Sequence, residues 1–295
     1  MPETKPAQPA SAASADRLAM AAVVAGNIAL AFGPWFVRAA GSGPVAAAFW
    51  RVALAAPILA ALAVASGWRP RGITPGMIAA LLIGGLCFGA DLASWHLGIV
   101  RTTLANATLF GNAAVLFFPV YGFVAARMLP NRSQALALGL ASAGAALLLG
   151  RSYALDPRHL AGDLLSLTAG TLYTVYFIAM ARVRQAMPPL PALALSTLAS
   201  TLPLLLFARL AGESVWPSHW GALIGLALAS QVFGQGCMIY AIGRLSPLIM
   251  GIALLIQPIV SATVGWLVYG ERLGTADLVG AALVAAALVL VRRER

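Results

Sequence analysis

Apolar stretches long enough to cross a membrane recur along almost the whole chain, and nothing else constrains its fold as tightly. A helix needs about 20 consecutive, mostly apolar residues to span a hydrocarbon layer of about 30 Å. Ten such stretches can be read, at roughly 18–38, 45–65, 76–98, 103–125, 133–150, 161–181, 190–210, 219–241, 247–269 and 275–291. The connections between them are short and leave no room for a soluble domain. Only 9% of the residues are charged, against about 25% in an average soluble domain. The sequence therefore predicts an all-α, polytopic membrane protein.

The formal charge of +10 does not point to a nucleic-acid partner. The basic residues stand singly in loops and at span ends, with no basic stripe interleaved with aromatics of the kind that tracks phosphates. In a polytopic protein a cationic excess reports topology, because Lys- and Arg-rich loops stay in the cytoplasm. With the N-terminus inside, the inner segments hold Lys5, Arg17, Arg69, Arg71, Arg127, Arg132, Arg182, Arg184, Arg244, Arg292, Arg293 and Arg295. The outer segments hold Arg38, Arg101, Arg151, Arg158, Arg209 and Arg272, half as many, while Arg51 lies within a span. This bias places both termini of a multi-pass membrane protein in the cytoplasm. The lipid bilayer is its expected partner. Oligomeric state stays open, and a monomer is compatible with the sequence.

Residues 1–17, rich in Pro, Ala and Ser, read as a disordered cytoplasmic tail. The apolar segment after them is too long for the h-region of a signal peptide and becomes the first span. Cys87 and Cys237 fall inside spans, so they imply neither a disulfide framework nor a metal site. They read as buried small hydrophobes. No cofactor is implied.

Ten spans divide at the loop around residues 150–162 into five and five, giving repeats over 18–150 and 151–295. The halves align faintly. An offset of 143 pairs Ile99 with Ile242, Arg101 with Arg244 and Gly122 with Gly265. An offset of 144 pairs Gly26 with Gly170 and Arg38 with Arg182. A repeat with an odd number of spans must enter the membrane in opposite senses, which is the inverted-repeat architecture of many secondary transporters. The expected fold is ten helices in two inverted five-helix repeats around a central cavity.

Several motifs carry a resemblance to a known family. They are "TTLANATLFGN" (102–112) opening the fourth span, "LIQPIVSATVGWLVYGERL" (255–273) ending the ninth, and "FWRVALAAPIL" (49–59) in the second. Together with the ten short helices, they resemble the drug/metabolite transporter superfamily, specifically its EamA-type members, over nearly the whole chain after residue 17. Within it the chain looks most like the bacterial aromatic amino-acid exporters. The first repeat departs from the pattern. Val115 stands where the family often has proline, with Pro119 four residues on, and "ARMLPNR" replaces the Gly-Glu that often follows that span. No role resting on that first Glu carries over.

The most informative single residue is Asp91, in the otherwise apolar run "GGLCFGADLASWHLGIV" (84–100). A carboxylate at membrane depth is costly and normally faces a bundle interior or an aqueous cavity with a partner. The third span places Asp91 about 10 Å below its outer end at 1.5 Å per residue. Arg51 enters the membrane on the preceding, antiparallel span to a similar depth. An Asp91–Arg51 pair is expected, and two readings of it stay open. It could be an architectural ion pair, or it could line an outward-facing cavity and meet the amino and carboxylate groups of a zwitterionic substrate. A third role, proton coupling through Asp91, is weakened by a cation paired with it.

Helical spacing names the other candidates. Phe88, Asp91 and Trp95 share a face, while His96 is rotated about 100° away and reads as a solvated or capping histidine rather than a site residue. The 144 offset pairs Asp91 with Gln235 and His96 with Tyr240. Gln231 and Gln235 form a polar stripe at i, i+4. In the fourth span Thr108 and Asn112 share a face and Asn106 points elsewhere. Gln257 and Ser261 flank Pro258 in the ninth, and Tyr173 and Tyr176 are neighbours on the sixth. Hydrogen bonding between helices is the plainer account of these polar groups. Trp35, Trp50, Trp95, Trp216, Trp220 and Trp266 all fall towards the outer side. An aromatic belt explains Trp216 and Trp220, whereas Trp35, Trp50 and Trp95 are candidates for an outer vestibule. "GLCFG" (85–89) and "GALIG" (221–225) are small-xxx-small patterns that let helices approach closely.

These residues point away from an enzyme. There is no HExxH motif, no nucleotide-binding motif, and no second in-membrane aspartate for an acid dyad. The reading they favour is a secondary carrier exporting small amphipathic solutes by alternating access, amino acids including aromatic ones foremost. Export of drugs or other metabolites on the same fold is the alternative. A channel, separable by non-saturating flux, has no motif against it.

Overall fold

The computed structural model describes residues 10–254, 256–271 and 274–292. Among these every regular element is helical, in the order α1 (Ala10–Ala31), α2 (Gly33–Ala39), α3 (Pro44–Ala65), α4 (Pro75–Ile99), α5 (Leu104–Gly111), α6 (Ala114–Ala126), α7 (Arg132–Leu155), α8 (Pro157–Val183), α9 (Pro189–Leu210), α10 (Trp220–Gly225), a π-helical segment (Leu226–Gly234), α11 (Gln235–Ile242), α12 (Pro247–Leu254), α13 (Ile256–Tyr269) and α14 (Thr275–Arg292). Local chemistry sets many of the starts. Proline occupies the first turn of α2, α3, α4, α8 and α9, where its missing N–H is unneeded and its fixed φ suits the helix. Thr74, Thr103 and Asp156 cap α4, α5 and α8 by accepting from the N–H groups of Met77, Asn106 and Arg158.

Eight stretches are long and apolar enough to cross a membrane: Asp16–Ala39, Pro44–Ala65, Pro75–Ile99, Leu104–Ala125, Pro157–Val183, Pro189–Leu210, Trp220–Ile242 and Ile249–Tyr269. The other two expected spans coincide with α7 and α14. Those helices pack on each other, with Ala137 and Ala287 buried between them and Ser133 Oγ donating to the Leu290 carbonyl at 3.4 Å. Several expectations need correcting. The helix begins at Ala10, inside the tail expected to lack structure; residues 1–9 lie outside the described ones. The first span bends at Phe32, before Gly33-Pro34, and the fourth is interrupted at Asn112–Ala113. Cys87 and Cys237 are free and only half-buried.

The perimeter of the molecule is apolar, unlike that of a water-soluble bundle. Leu82, Ile83 and Leu86 on α4 and Leu198, Leu202 and Leu206 on α9 stand exposed, while Asn27, Arg51, Asp91, His96, Asp163, Gln231, Gln235 and Gln257 are buried. An apolar perimeter, with polar groups set into an otherwise apolar core, suits a hydrocarbon surround. Without a hydrophobic force between helices, close packing and interhelical hydrogen bonds hold such a bundle together. α4 packs on α8 and α9, α3 on α9 and the π segment, and α1 on α11, α13 and the π segment. The two parts of the chain therefore interleave, and their shared interior carries the polar residues. "GLCFG" serves the α4–α9 contact: a Cβ on Gly85 would lie 2.4 Å from Ala199 Cβ and 2.9 Å from its carbonyl carbon. In "GALIG" only Gly225 is closely packed, against the Phe36 ring, and Gly221 faces open space.

Candidate functional site

α4 carries the centre of the site. Its Phe88, Asp91, Leu92 and Trp95 line a narrow cavity of about 30 Å³, completed by Leu30, Arg51, Gly111, Asn112, Tyr173, Gln235 and Gln257 from the surrounding helices. The shared face of Phe88, Asp91 and Trp95 expected from spacing is thus the one that meets the cavity. Asp91 and Gln235, matched by the 144 offset, both line it.

The expected Asp91–Arg51 ion pair is absent. Arg51, 2% exposed, donates from Nε to Gln231 Oε1 at 3.1 Å, and its guanidinium carbon sits 5.9 Å from the centre of the Phe88 ring. Gln231 passes the contact on, donating from Nε2 to Thr197 Oγ1 at 3.0 Å. Arg51 Nη1 has no partner. Asp91, 6% exposed, has no hydrogen-bond or ion-pair partner among the described residues. Depth along the membrane normal placed the two charges at one level. It carried no information about rotation around the helix axes, and rotation turned Arg51 towards the π segment.

Around these charges the polar groups are held in place. Tyr173 Oη donates to Gln235 Oε1 at 3.1 Å, which leaves Gln235 Nε2, buried, without a partner. Asn112 Nδ2 donates to Gln257 Oε1 at 3.2 Å, and Gln257 Nε2 to Asn27 Oδ1 at 2.7 Å. This chain of amides ties α5, α13 and α1 together across 230 residues of sequence. Trp95 Nε1 donates to the Ala107 carbonyl at 3.0 Å. Phe88 stacks on Tyr176 at 4.5 Å and lies 6.2 Å from Tyr173. The residues lining the cavity therefore include one carboxylate without a partner, two residues that each carry a buried N–H donor without a partner, and an aromatic wall.

Other candidates fall outside the cavity lining. Gln231 is the bracket for Arg51, and Tyr176 sits beneath Phe88, sharing 3.4 Å with Ser196 Oγ. Gln231 and Gln235, four residues apart, differ in what they meet: Gln231 is spent on Arg51 and Thr197, and only Gln235 lines the cavity. Thr108 Oγ1 bonds back to the Leu104 carbonyl of its own helix. His96 is fully buried rather than solvated: the N-terminus of α3 covers it, and Nδ1 bonds the Pro44 carbonyl at 2.9 Å. Since that oxygen can only accept, Nδ1 carries the proton; Nε2 has no partner. Trp35 is half-buried against Phe36 at 4.9 Å. Trp50 clusters with Trp216 and Trp220 at 5.9 and 4.8 Å and donates to the Val215 carbonyl. Tyr240 lies under Arg244 at 4.8 Å. Neither Tyr240 nor its offset partner His96 reaches the cavity.

Sequence reasoning missed three polar positions. Asn27, an amide in an otherwise apolar span, was detectable by the argument that found Asp91. Asp163 in α8 is a second, fully buried carboxylate, contrary to the expectation of none; Asn106 Nδ2 donates to its Oδ2 at 3.3 Å. Asn106 does point away from the cavity, as its spacing implied. The third is a clasp at the end of the bundle expected to face outward. Arg38 Nη1 pairs with Glu271 Oε1 at 2.7 Å, and Arg38 also donates to the carbonyls of Ile99 and Thr102. Glu271 Oε2 accepts the Leu104 N–H at 2.9 Å. At the opposite end Arg184 bonds the carbonyls of Ile239 and Met187. Burial, and then the charge of Arg244, push its guanidinium below the ordinary value. Among the described residues no three His, Cys, Asp or Glu side chains are grouped to hold a metal.

Residues 160–293 match the model of the EamA-like transporter family. A solved crystal structure, 20% identical in sequence, superposes with a TM-score of 0.67 over 95% of this chain and 99% of that one, which establishes the likeness of fold. No curated protein matches the chain.

Proposed function

We propose that the EamA-like match over residues 160–293 reflects a secondary transporter of the drug/metabolite type, built as ten spans in two inverted five-helix repeats, 18–150 and 151–295. It exports small amphipathic solutes across the bacterial inner membrane, both termini being cytoplasmic, and its preferred cargo is an amino acid with an apolar or aromatic side chain. One observation carries this reading: Asp91, without a hydrogen-bond partner among the described residues, lines a cavity with Arg51 and Gln235, whose buried Nη1 and Nε2 have no partner. Leaving a buried donor unsatisfied costs about 1–3 kcal/mol, and charged groups cost more. A zwitterion would satisfy all three groups, its ammonium at Asp91 and its carboxylate between Arg51 and Gln235. Phe88, Trp95 and Tyr173 would hold its side chain.

A second reading has its own support. Asp91 has no direct hydrogen bond or ion pair among the described residues, which suits export of a monocationic amphiphile. Counterflow of labelled phenylalanine into liposomes holding purified protein tests the two together, with competition by phenylalanine, threonine and a cationic dye. Saturable phenylalanine counterflow that is lost in a folded Asp91→Asn variant is the expected result. Competition by the dye alone would shift the assignment to cations. Flux that never saturates would replace the carrier with a channel.

A further inference from the structure

We infer that a second cavity, at the end of the bundle expected to face outward, holds the phosphate headgroup of an anionic phospholipid, with Arg209 gripping the phosphate. This cavity shares no lining residue with the central one, and the inference does not depend on what the protein carries. Its volume is about 440 Å³, far above that of the central cavity and within the roughly 300–1,000 Å³ of small-molecule sites. Phe49 and Trp50 line it from the second turn of α3, and Leu205 and Arg209 from the last two turns of α9. The loop at residues 214–216 completes it.

Charge names the occupant. Among the described residues Arg209 is the one charged side chain in the lining; it is exposed, and its guanidinium makes no ion pair or hydrogen bond with any of them. The carboxylate closest to it in sequence, Glu213, is turned to the start of α3, where it accepts from the N–H groups of Val45 and Ala46 at 3.3 and 2.8 Å. An unspent guanidinium beside the hydroxyl of Ser214 suits a phosphate, which it can hold with two parallel N–H···O bonds. The tryptophans do more than a belt requires. Belt residues need only sit at headgroup depth, whereas Trp50, Trp216 and Trp220 pack edge-on to one another at 4.8, 5.4 and 5.9 Å. Trp50 Nε1 also fixes the loop by donating to the Val215 carbonyl at 2.6 Å. Trp216 is left exposed, with its own N–H unspent.

What lies beyond the cavity selects a lipid over a soluble anion. Leu206, Leu202 and Leu198 stand exposed at three, seven and eleven residues before Arg209, on one face of α9. At 1.5 Å per residue they extend an apolar track about 16 Å from the arginine, close to the depth of one leaflet of a hydrocarbon core about 30 Å thick. An anion with an acyl chain uses the arginine and the leucines at once, and a hydrated anion leaves the leucines unused. α3 and α9 pack on each other from the two parts of the chain, so a lipid seated against both also holds that seam together.

The test counts lipids retained by the full-length protein in detergent, by native mass spectrometry, as phosphatidylglycerol or phosphatidylcholine is added. One phosphatidylglycerol is expected to be held several-fold more tightly than phosphatidylcholine, and to raise the midpoint of thermal unfolding. Arg209→Gln removes the charged donor and is expected to weaken that lipid about 10- to 100-fold. Arg209→Lys, which keeps the charge but not the planar fork, is expected to fall between. Arg158→Gln alters an exposed arginine outside the cavity and is expected to change nothing. Unchanged retention in Arg209→Gln, or an equal loss in Arg158→Gln, overturns the site. Equal retention of the two lipids overturns the anionic headgroup. Displacement by glycerophosphoglycerol as readily as by phosphatidylglycerol makes this a site for soluble anions, and displacement by phenylalanine makes it an outer substrate site; either result overturns the lipid.

Discussion

Gln235 shows how much one hydrogen bond can decide. An amide has two chemically opposite ends, and Tyr173 Oη, by donating to Oε1, leaves the buried N–H₂ end of Gln235 without a partner. Tyr173→Phe removes that restraint and lets the amide flip. A neutral hydrogen bond contributes about 0.5–1.5 kcal/mol, so the half-saturating phenylalanine concentration should rise about 2- to 10-fold, with little change in maximal flux. Arg51→Gln removes a charged donor, for which about 1.5–3 kcal/mol is at stake. It should weaken phenylalanine about 10- to 100-fold and leave phenethylammonium within a few-fold, measured as competition in the counterflow assay. Equal losses for both probes would mean that Arg51 supports the fold rather than the substrate carboxylate. At this scale Asp91, Trp95, Gln235 and Gln257 were legible because each is polar or bulky in an apolar run. The burial of His96 was not, because its cover comes from the start of another helix.

Between elements, space is the deciding quantity. α4 and α9 approach until Gly85 and Ala199 leave no room for another carbon. Gly85→Val would have to push the two helices apart; overpacking of this kind costs about 1–3 kcal/mol or more. The expected outcome is a lower midpoint of thermal unfolding in detergent, whereas the same change at Gly221, which faces open space, should have little effect. The glycine spacing was readable. The π segment was not: nothing in "LALASQVFG" distinguishes it from an α-helix by composition, and π turns are rare. It contains Gln231, spent on Arg51 and Thr197, and ends just before Gln235, which lines the cavity.

Across the whole molecule, contacts distant in sequence close the two ends of the bundle. The Arg38–Glu271 clasp binds α2 and the start of α5 to the turn after α13, spanning 233 residues of sequence. Its side chains are mostly buried, at 19% and 16% exposure, so it is screened less than a surface pair. Glu271→Gln keeps the shape and removes the charge. It should destabilise the protein by about 1–3 kcal/mol, read as a lower unfolding midpoint that Arg38→Gln does not lower further in the double variant. Additive losses would show that the two residues act separately.

What the sequence determined by itself was one-dimensional: which stretches are apolar enough to be helices in hydrocarbon, where charges and amides interrupt them, and which residues share a helical face. Hydropathy and the 3.6-residue period carry that information locally, and they placed Phe88, Asp91 and Trp95 on the face that meets the cavity. Only the tertiary structure decided which residues meet across helices. Arg51 bonds Gln231, 180 positions away, instead of the aspartate next to it in the topology. The rotation of each helix about its axis is set by packing against all its neighbours at once, and no local pattern encodes that sum.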